Sequence, residues 1–142
     1  LTNIEDKPGV AAKIFGSLAS SGVNIDMIVQ SNTETGLTNI TFSCPEDELD
    51  MAKKAISKAK GNHVISYERL IENKNLAKVS IIGIGMKTHA GVAQKMFETL
   101  SQENININVI STSEIKLSVL IERKYLELAV RSLHDAFGLQ NL

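Results

Sequence analysis

The stretch Asn3–Ser31, NIEDKPGVAAKIFGSLASSGVNIDMIVQS, is closely matched further along the chain by Gly83–Ser113, GIGMKTHAGVAQKMFETLSQENININVISTS. When Gly9 is aligned with Gly91, both apolar and polar residues recur in step. The identical pairs include Val10 and Val92, Ala11 and Ala93, Lys13 and Lys95, Phe15 and Phe97, Leu18 and Leu100, Asn24 and Asn106, Ile25 and Ile107, Ile28 and Ile110, and Ser31 and Ser113. Self-similarity of this kind predicts an internal duplication of one structural unit.

The two copies differ in length at one turn. The segment NTETGLT, residues 32–38, has no full counterpart in the second copy. A shorter turn there restores the match, with Ile40 aligned to Leu117, Leu49 to Leu126, Ala52 to Ala129 and Ile56 to Leu133. Because surface turns tolerate changes in length, this difference agrees with a true duplication.

Each copy predicts the order strand, helix, strand, strand, helix, strand. Val10, Ile14 and Leu18 fall at helical spacing, whereas NIDMIVQ and TNITFSC alternate as half-buried strands do. The segment EDELDMAKKAISKA predicts a second helix with acidic residues in its first turn, and HVISYERL predicts a last strand. The counterparts in the second copy are AKVSIIGIG, NINVIST, IKLSVLI and RKYLELAVRSLHDAF, and little follows Phe137.

This order predicts an α+β fold made of two tandem ferredoxin-like (βαββαβ) units. We place the first domain at residues 1–72 and the second at residues 77–142. The polar segment IENKNLA, residues 71–77, is the predicted linker.

Composition argues against several classes of protein. A net charge of −1 and 4% aromatic residues give neither the basic surface nor the stacking platforms of nucleic-acid binding. No apolar run is long enough to span a membrane, and no signal peptide is visible. The single cysteine, Cys44, cannot form an intramolecular disulfide, so we expect a cytoplasmic location.

Candidate catalytic and metal-ligating residues are scattered. His63, His89 and His134 have no acidic or cysteine neighbours at metal-ligand spacing, and Cys44 lies on the apolar face of a predicted strand. We therefore predict surface or turn histidines, a buried inert thiol, no catalytic residues, no metal and no cofactor.

The strongest candidate for a binding site is the segment DKPGVA. Pro8 and Gly9 precede a predicted helix, whose first backbone N–H groups lack partners and carry the positive end of the helix dipole. Such a helix start accepts a carboxylate well, and Asp6 just before it could hold an ammonium group.

The following strand adds polar side chains. Asn24, Asp26 and Gln30 share one parity, so we expect them on one face, with Ile25, Met27 and Val29 directed into the core. These residues alone support two interpretations equally: a site for a free amino acid, or polar groups that only face water and cap turns. The recurrence of Asn106 and Asn108 in the second copy favours a site.

Several motifs together resemble the C-terminal regulatory region of aspartate kinases, which consists of two tandem ACT domains. They are DKPGVAAKIF, NIDMIVQ, TFSCP, GMKTHAGVA, NININVISTSEIKLSVLI and LHDAFGL, and the resemblance covers essentially the whole chain. The resemblance implies a role in feedback inhibition by threonine, lysine or both, in the biosynthesis of lysine, threonine and methionine. It also implies that the ATP-dependent phosphorylation of aspartate is carried out by a catalytic domain or α subunit outside this region.

The resemblance further implies which residues bind the effector. The first site would use Asp6, Lys7, Pro8, Gly9, Val10, Ala11, Asn24, Ile25, Asp26 and Gln30. The second would use Val92, Ala93, Asn106, Ile107, Ser113 and Glu114. Small groups such as Gly9 and Ala11 favour threonine in the first site.

Two departures from the family pattern concern the second copy. The family often has proline where Ala90 stands before Gly91, and Asn108 occupies the position of Asp26. Without that carboxylate the second site should hold an ammonium group less well, so we expect the two sites to be unequal.

Three other functions compete with this interpretation. The chain could be an ACT pair that serves another enzyme, one responsive to serine or phenylalanine. A nucleic-acid-binding ferredoxin-like sheet needs exposed strand aromatics and a basic face, which the first two strands of each copy lack. A free-standing enzyme needs an acid, a base and a nucleophile in one place.

A single unit leaves a sheet edge open, so we also expect a homodimer through the ACT units.

Overall fold

The computed structural model describes residues 1–33, 35–82, 89–113 and 115–138. The chain divides into two units, Leu1–Glu72 and Asn73–Leu142. Each unit has a three-stranded antiparallel sheet with two helices packed on one face. The α+β architecture and the duplication predicted from the sequence are confirmed. No helix in the described ranges is long and apolar enough to cross a membrane.

The elements follow the same order in both units. Unit 1 contains β1 (Ile4–Glu5), α1 (Val10–Ser20), β2 (Ile28–Asn32), β3 (Leu37–Phe42), a 3-10 turn (Glu46–Glu48) and α2 (Leu49–Gly61). Unit 2 contains β4 (Leu76–Ile82), α3 (His89–Gln102), β5 (Val109–Thr112), β6 (Lys116–Glu122), a 3-10 turn (Arg123–Tyr125) and α4 (Leu126–Phe137). The strand orders are β1-β3-β2 and β4-β6-β5, so β2 and β5 occupy equivalent edge positions.

Each core forms where the helices meet the sheet. The fully buried residues of unit 1 include Ile4, Ile14, Leu18 and Ile56, and those of unit 2 include Met96, Leu100, Val119 and Ile121. Complete burial of one such side chain contributes about 1.5–3 kcal/mol. The aligned pairs Ile14–Met96, Leu18–Leu100, Ile40–Leu117 and Ile56–Leu133 are buried in both units.

Strand register confirms the alignment made from the sequence. Gln30 lies opposite Ile40 in unit 1, and Thr112 lies opposite Leu117 in unit 2. Unit 1 then adds the pairs Ser31–Asn39 and Asn32–Thr38 beyond that point. The extra residues of NTETGLT thus lengthen one β-hairpin and leave the rest of the unit unchanged.

The last predicted strand of the first copy, HVISYERL, is extended chain rather than a regular strand. His63 and Val64 form the turn that ends α2, so only the later residues of the segment contact the sheet. There it exchanges two backbone hydrogen bonds with Thr2: Thr2 N–H donates to Arg69 O at 3.0 Å, and Glu68 N–H donates to Thr2 O at 2.9 Å. The segment therefore borders the sheet beside the start of β1.

The faces of β2 differ from the prediction. Gln30 lies opposite the core residue Ile40, so it is on the helix-facing side, whereas Val29 lies opposite Thr41 on the other side. Ile25 packs against the core and Met27 is buried, with 6% exposure, as predicted, whereas Val29 lies on the side of the sheet opposite that core. The reason is the edge position of β2: the helices cover the centre of the sheet, and Ile28 on the helix-facing side remains 52% exposed.

Three helices end in the same left-handed turn. After α1, Gly22 has φ 78°, its N–H donates to Ala19 O at 3.0 Å, and Val23 N–H donates to Leu18 O at 3.1 Å. The equivalent residue after α3 is Asn104, with φ 57°. His63, with φ 58°, has this position after α2, so it is the turn histidine that the sequence predicted. Such turns satisfy the last carbonyl groups of a helix and favour glycine.

Two glycine-to-alanine substitutions test this account of the fold. Gly22→Ala should lower the free energy of unfolding by about 1 kcal/mol, because alanine is strained in the left-handed region. Gly16→Ala is the matched control: Gly16 is exposed inside α1 with open space around it. It should raise that free energy by about 1 kcal/mol through helix propensity. Urea unfolding measures both changes, and equal destabilisation by the two substitutions would contradict the assignment.

Candidate functional site

The loop before α1 ends in a residue whose backbone conformation only glycine adopts easily. Gly9 has φ 91° and immediately precedes the first helical residue, Val10. Lys13 N–H donates to Gly9 O at 3.1 Å, and Val10 N–H donates to Lys7 O at 3.3 Å. Within the described residues, the amides of Ala11 and Ala12 find no acceptor. The helix therefore presents free N–H groups at the positive end of its dipole.

A cleft of about 340 Å³ opens in front of this helix start. The structure brings together here seven of the residues predicted for the first site: Asp6, Lys7, Pro8, Gly9, Val10, Ala11 and Gln30. It adds Glu5, Thr38 and Ile40, which the sequence did not assign. Thr38 and Ile40 could be found only from the β2–β3 register, which places them beside Gln30 and Asn32.

The floor of the cleft is well ordered by hydrogen bonds. Thr38 is 2% exposed, and its Oγ1 donates to Ser31 O at 3.1 Å and lies 3.2 Å from Asn32 Oδ1. Asp6 N–H donates to Gly36 O at 3.3 Å, which ties the loop to the β2–β3 hairpin. The hydroxyl of Thr38 is thus occupied, and the loop has a fixed position above it.

Charges of both signs line the rim. Lys7 Nζ lies 2.7 Å from Glu5 Oε2, and both side chains are exposed, so the pair contributes little to stability. Asp6 is the remaining charged residue of the lining. The cleft therefore offers helix amides for a carboxylate, the Asp6 carboxylate for an ammonium group, and the Gln30 amide for a polar side chain.

Three other predicted residues lie outside the cleft lining. Asn24 is bound to Glu48: its backbone N–H donates to Glu48 Oε1 at 2.9 Å, and its Nδ2 lies 3.1 and 3.2 Å from the two carboxylate oxygens. Ile25 packs against the core of unit 1. Asp26 is exposed, and its N–H donates to Ser43 O at 3.0 Å. These residues form the approach to β2 rather than the wall of the cleft.

The start of the helix differs in the second copy. The helix α3 begins at His89, so Ala90 and Gly91 lie inside it, whereas Pro8 and Gly9 precede α1. Asn108 N–H donates to Leu120 O at 2.8 Å, as Asp26 N–H does to the equivalent Ser43. Asn108 therefore has the position of Asp26, as the alignment predicted.

The residues predicted for the second site are distributed between the core and the surface. Val92, Ala93 and Ile107 are partly buried against the core of unit 2. Asn106 and Ser113 are exposed. Glu114 and the loop residues 83–88 lie outside the described residues.

The only cysteine is partly buried against the core of unit 1. Burial raises the pKa of the Cys44 thiol, and the nearby carboxylates of Glu48 and Asp47 raise it further. A raised pKa disfavours the reactive thiolate, which agrees with the inert thiol predicted from the sequence. In the described ranges, no group of histidine, cysteine and acidic residues could hold a metal ion.

Comparison with known proteins gives consistent matches. The pattern of the ACT domain family matches residues 2–59 and 79–137. An aspartokinase of Pseudomonas aeruginosa is 48% identical, and an aspartate kinase of Pseudomonas fluorescens is 47% identical, each over 98% of this chain. The chain spans about a third, 33%, of the length of these curated relatives.

Two solved structures are similar over nearly their whole length. The first is a crystal structure of aspartokinase α and β subunits, with 41% identity and a TM-score of 0.84, covering 97% of this chain and 89% of that one. The second is the ligand-free regulatory subunit of the Thermus thermophilus aspartate kinase, with 36% identity and a TM-score of 0.82. It covers 95% of this chain and 87% of that one.

The raised pKa of Cys44 predicts a specific pH dependence of alkylation. Between pH 7 and pH 8.5 iodoacetamide should react more slowly with the folded chain than with the urea-unfolded chain, because less thiolate is present. The rate for the folded chain should continue to rise above the pH at which the unfolded chain levels off. If the alkylation rate of the folded chain reached its midpoint at a lower pH than that of the unfolded chain, the environment assigned to Cys44 would be wrong.

Proposed function

The chain belongs to the ACT domain family, as the tandem pair that forms the regulatory region of aspartate kinases, and on this basis we propose that it binds threonine, lysine or both as feedback effectors. In this proposal the bound amino acid signals the level of pathway end products. The region then inhibits the kinase that phosphorylates aspartate with ATP.

The single observation that carries the proposal is the cleft at the start of α1. An α-amino acid has one carboxylate and one ammonium group on the same carbon, so its site needs donors and a carboxylate a few ångströms apart. Ala11, in the first turn of α1, and Asp6, in the loop before it, both line the cleft, so the Ala11 amide and the Asp6 side chain meet this need. Gln30 then faces the effector side chain from the neighbouring strand.

The cleft favours threonine for the first site. Gly9 and Ala11 leave room for a small ligand, and the Gln30 amide can both donate to and accept from a hydroxyl group. Lysine is the alternative or second ligand, since Glu5 pairs with Lys7 and leaves the Asp6 carboxylate in the lining for an ammonium group. Asn24, Ile25 and Asp26 contribute indirectly, because they determine where β2 begins.

A second, weaker site belongs to the same proposal. The side chains of Asn106 and Ser113 are exposed on the surface of unit 2, and Val92, Ala93 and Ile107 are partly buried against its core. In the sequence alignment Thr88 stands where the first copy has Asp6, so the second copy lacks the carboxylate that the proposal assigns to the ammonium group. The second site, with Glu114 as its remaining member, should therefore hold an ammonium group less tightly than the first.

The catalytic part of the enzyme lies outside this region in the proposal. A similar solved structure contains both α and β subunits of an aspartokinase, and the chain spans about a third, 33%, of its curated relatives. We propose that a catalytic domain or an α subunit is the corresponding partner here, with the whole enzyme in the cytoplasm.

Open sheet edges support a homodimer. The edge strand β2 carries Ile28, 52% exposed, and the equivalent edge strand β5 carries Ile110, 47% exposed. An unpaired edge with an exposed apolar residue is a template for pairing with another chain. Gln30 lies on β2 next to this surface, so pairing through β2 would also enclose the cleft.

Calorimetric titration of the chain with four amino acids tests the effector assignment. Threonine, lysine or both should bind, and serine and phenylalanine should bind much more weakly. Gln30→Ala should weaken threonine binding about tenfold, because a hydrogen bond to the ligand side chain is lost.

Gln94→Ala is the matched control for this substitution. Gln94 is exposed on α3 and bonded to Glu98, outside the cleft, so its loss should leave the affinity unchanged. Tighter binding of serine or phenylalanine than of threonine and lysine would instead assign the region to another amino-acid enzyme.

Sedimentation velocity tests the homodimer. At micromolar concentration with threonine present, the chain should sediment as a dimer. Ile28→Glu should shift it to monomer, because a buried unpaired carboxylate opposes edge pairing. Ile71→Glu, at a position 59% exposed in the linker, should leave the dimer intact. A wild-type monomer under these conditions would contradict the proposal.

A further inference from the structure

We infer that Asn24 is a positioning residue, which acts through Glu48 to fix the start of β2 and therefore the place of Gln30 in the cleft. This inference rests on the proposed function, since Gln30 is the strand residue assigned to the effector. It gives Asn24 a role different from direct contact with the ligand.

The donors of Asn24 that face Glu48 are already occupied. The backbone N–H donates to Glu48 Oε1 at 2.9 Å, and Nδ2 lies 3.1 Å from Oε1 and 3.2 Å from Oε2. Hydrogen bonds to an ionised acceptor are stronger than neutral ones. An effector carboxylate at Nδ2 would have to displace Glu48, and it would meet the negative charge of Glu48 directly.

Glu48 belongs to a different element from Asn24. It is the residue immediately before α2, and its carboxylate accepts no capping hydrogen bond from that helix. The contact therefore ties the chain between α1 and β2 to the first turn of α2. The helices α1 and α2 pack against each other in one core. The contact therefore holds the start of β2 to α2, and through that core to α1, whose N-terminus borders the cleft.

The path from this contact to the cleft is short and continuous. Two residues after Asn24, the N–H of Asp26 donates to Ser43 O at 3.0 Å, and Met27 N–H donates to Ser43 Oγ at 2.9 Å. Ser43 N–H returns a bond to Met27 O at 2.9 Å. The β2–β3 ladder begins at the next residue, and two residues further on Gln30 lies opposite Ile40, where both line the cleft.

The second copy lacks this contact. The residue that aligns with Asn24 is Asn106, but the residue that aligns with Glu48 is Tyr125. Tyr125 packs against the core of unit 2, and Lys124 Nζ lies 5.0 Å from its ring centre. A phenol cannot accept the paired hydrogen bonds that a carboxylate accepts. The asparagine is therefore shared by both copies, whereas the contact with a carboxylate occurs in unit 1.

A double-mutant cycle on threonine and lysine affinity tests the inference. The variants are Asn24→Ala, Glu48→Ala and the two combined, each titrated calorimetrically against wild type. Each single substitution should weaken binding by about three- to tenfold. The double variant should bind with the same affinity as the single variant that binds less tightly, because both substitutions remove one contact. Glu48→Gln keeps one acceptor oxygen and should restore most of the affinity, a rescue that a loss of general stability would not show.

Two results would overturn the inference. If Asn24→Ala costs as much affinity in the Glu48→Ala background as in wild type, Asn24 contacts the effector itself. If all variants bind as wild type does while their melting temperatures fall, the contact only stabilises the fold.

Amide hydrogen exchange of the ligand-free chain tests the positioning role without any effector. If wild type binds neither amino acid, that result refutes only the proposed function. Asn24→Ala and Glu48→Ala should each speed exchange at Asp26 and Met27, with no change at Asn108 in unit 2. Unchanged exchange at Asp26 and Met27 would overturn the positioning role.

Discussion

The antiparallel pairing of β2 with β3 is the constraint on which the candidate site depends. In this register Gln30 lies opposite Ile40 and Asn32 opposite Thr38, so an edge strand and the centre of the sheet contribute to one cleft. A slip by one residue would turn Gln30 to the other face of the sheet. The hairpin also accepts the Asp6 amide through Gly36 O, so the same pairing positions the loop before α1.

The two units keep the features that stabilise the fold and differ in those around the cleft of unit 1. Gly22 and Asn104 end their helices in the same left-handed turn, and aligned core pairs such as Leu18 and Leu100 are buried in both units. The differences lie at the helix start, where Gly9 precedes α1 but Gly91 lies within α3, and in the length of the β-hairpin. Core positions are constrained by close packing, whereas helix starts and turns can change without loss of the core.

The electrostatics of the cleft follow from its position at a helix start. Free amides supply partial positive charge without any basic side chain, and Asp6 supplies negative charge within the same loop. Such an arrangement suits a zwitterion, since opposite charges meet complementary groups a few ångströms apart. Lys7 and Glu5 pair with each other at the rim, so neither the amides nor Asp6 take part in that pair.

The sequence by itself determined the duplication, the order of elements, the α+β class and the loop Asp6–Ala11, because these follow from local periodicity, from turn residues and from repetition along the chain. It also identified Gln30. Tertiary structure decided the rest. Thr38 and Ile40 enter the cleft through strand register, and Asn24 meets Glu48, which is remote in sequence. The covered face of β2 was predicted in reverse for Gln30 and Val29, because parity says which residues share a face but only the placement of the helices says which face is covered.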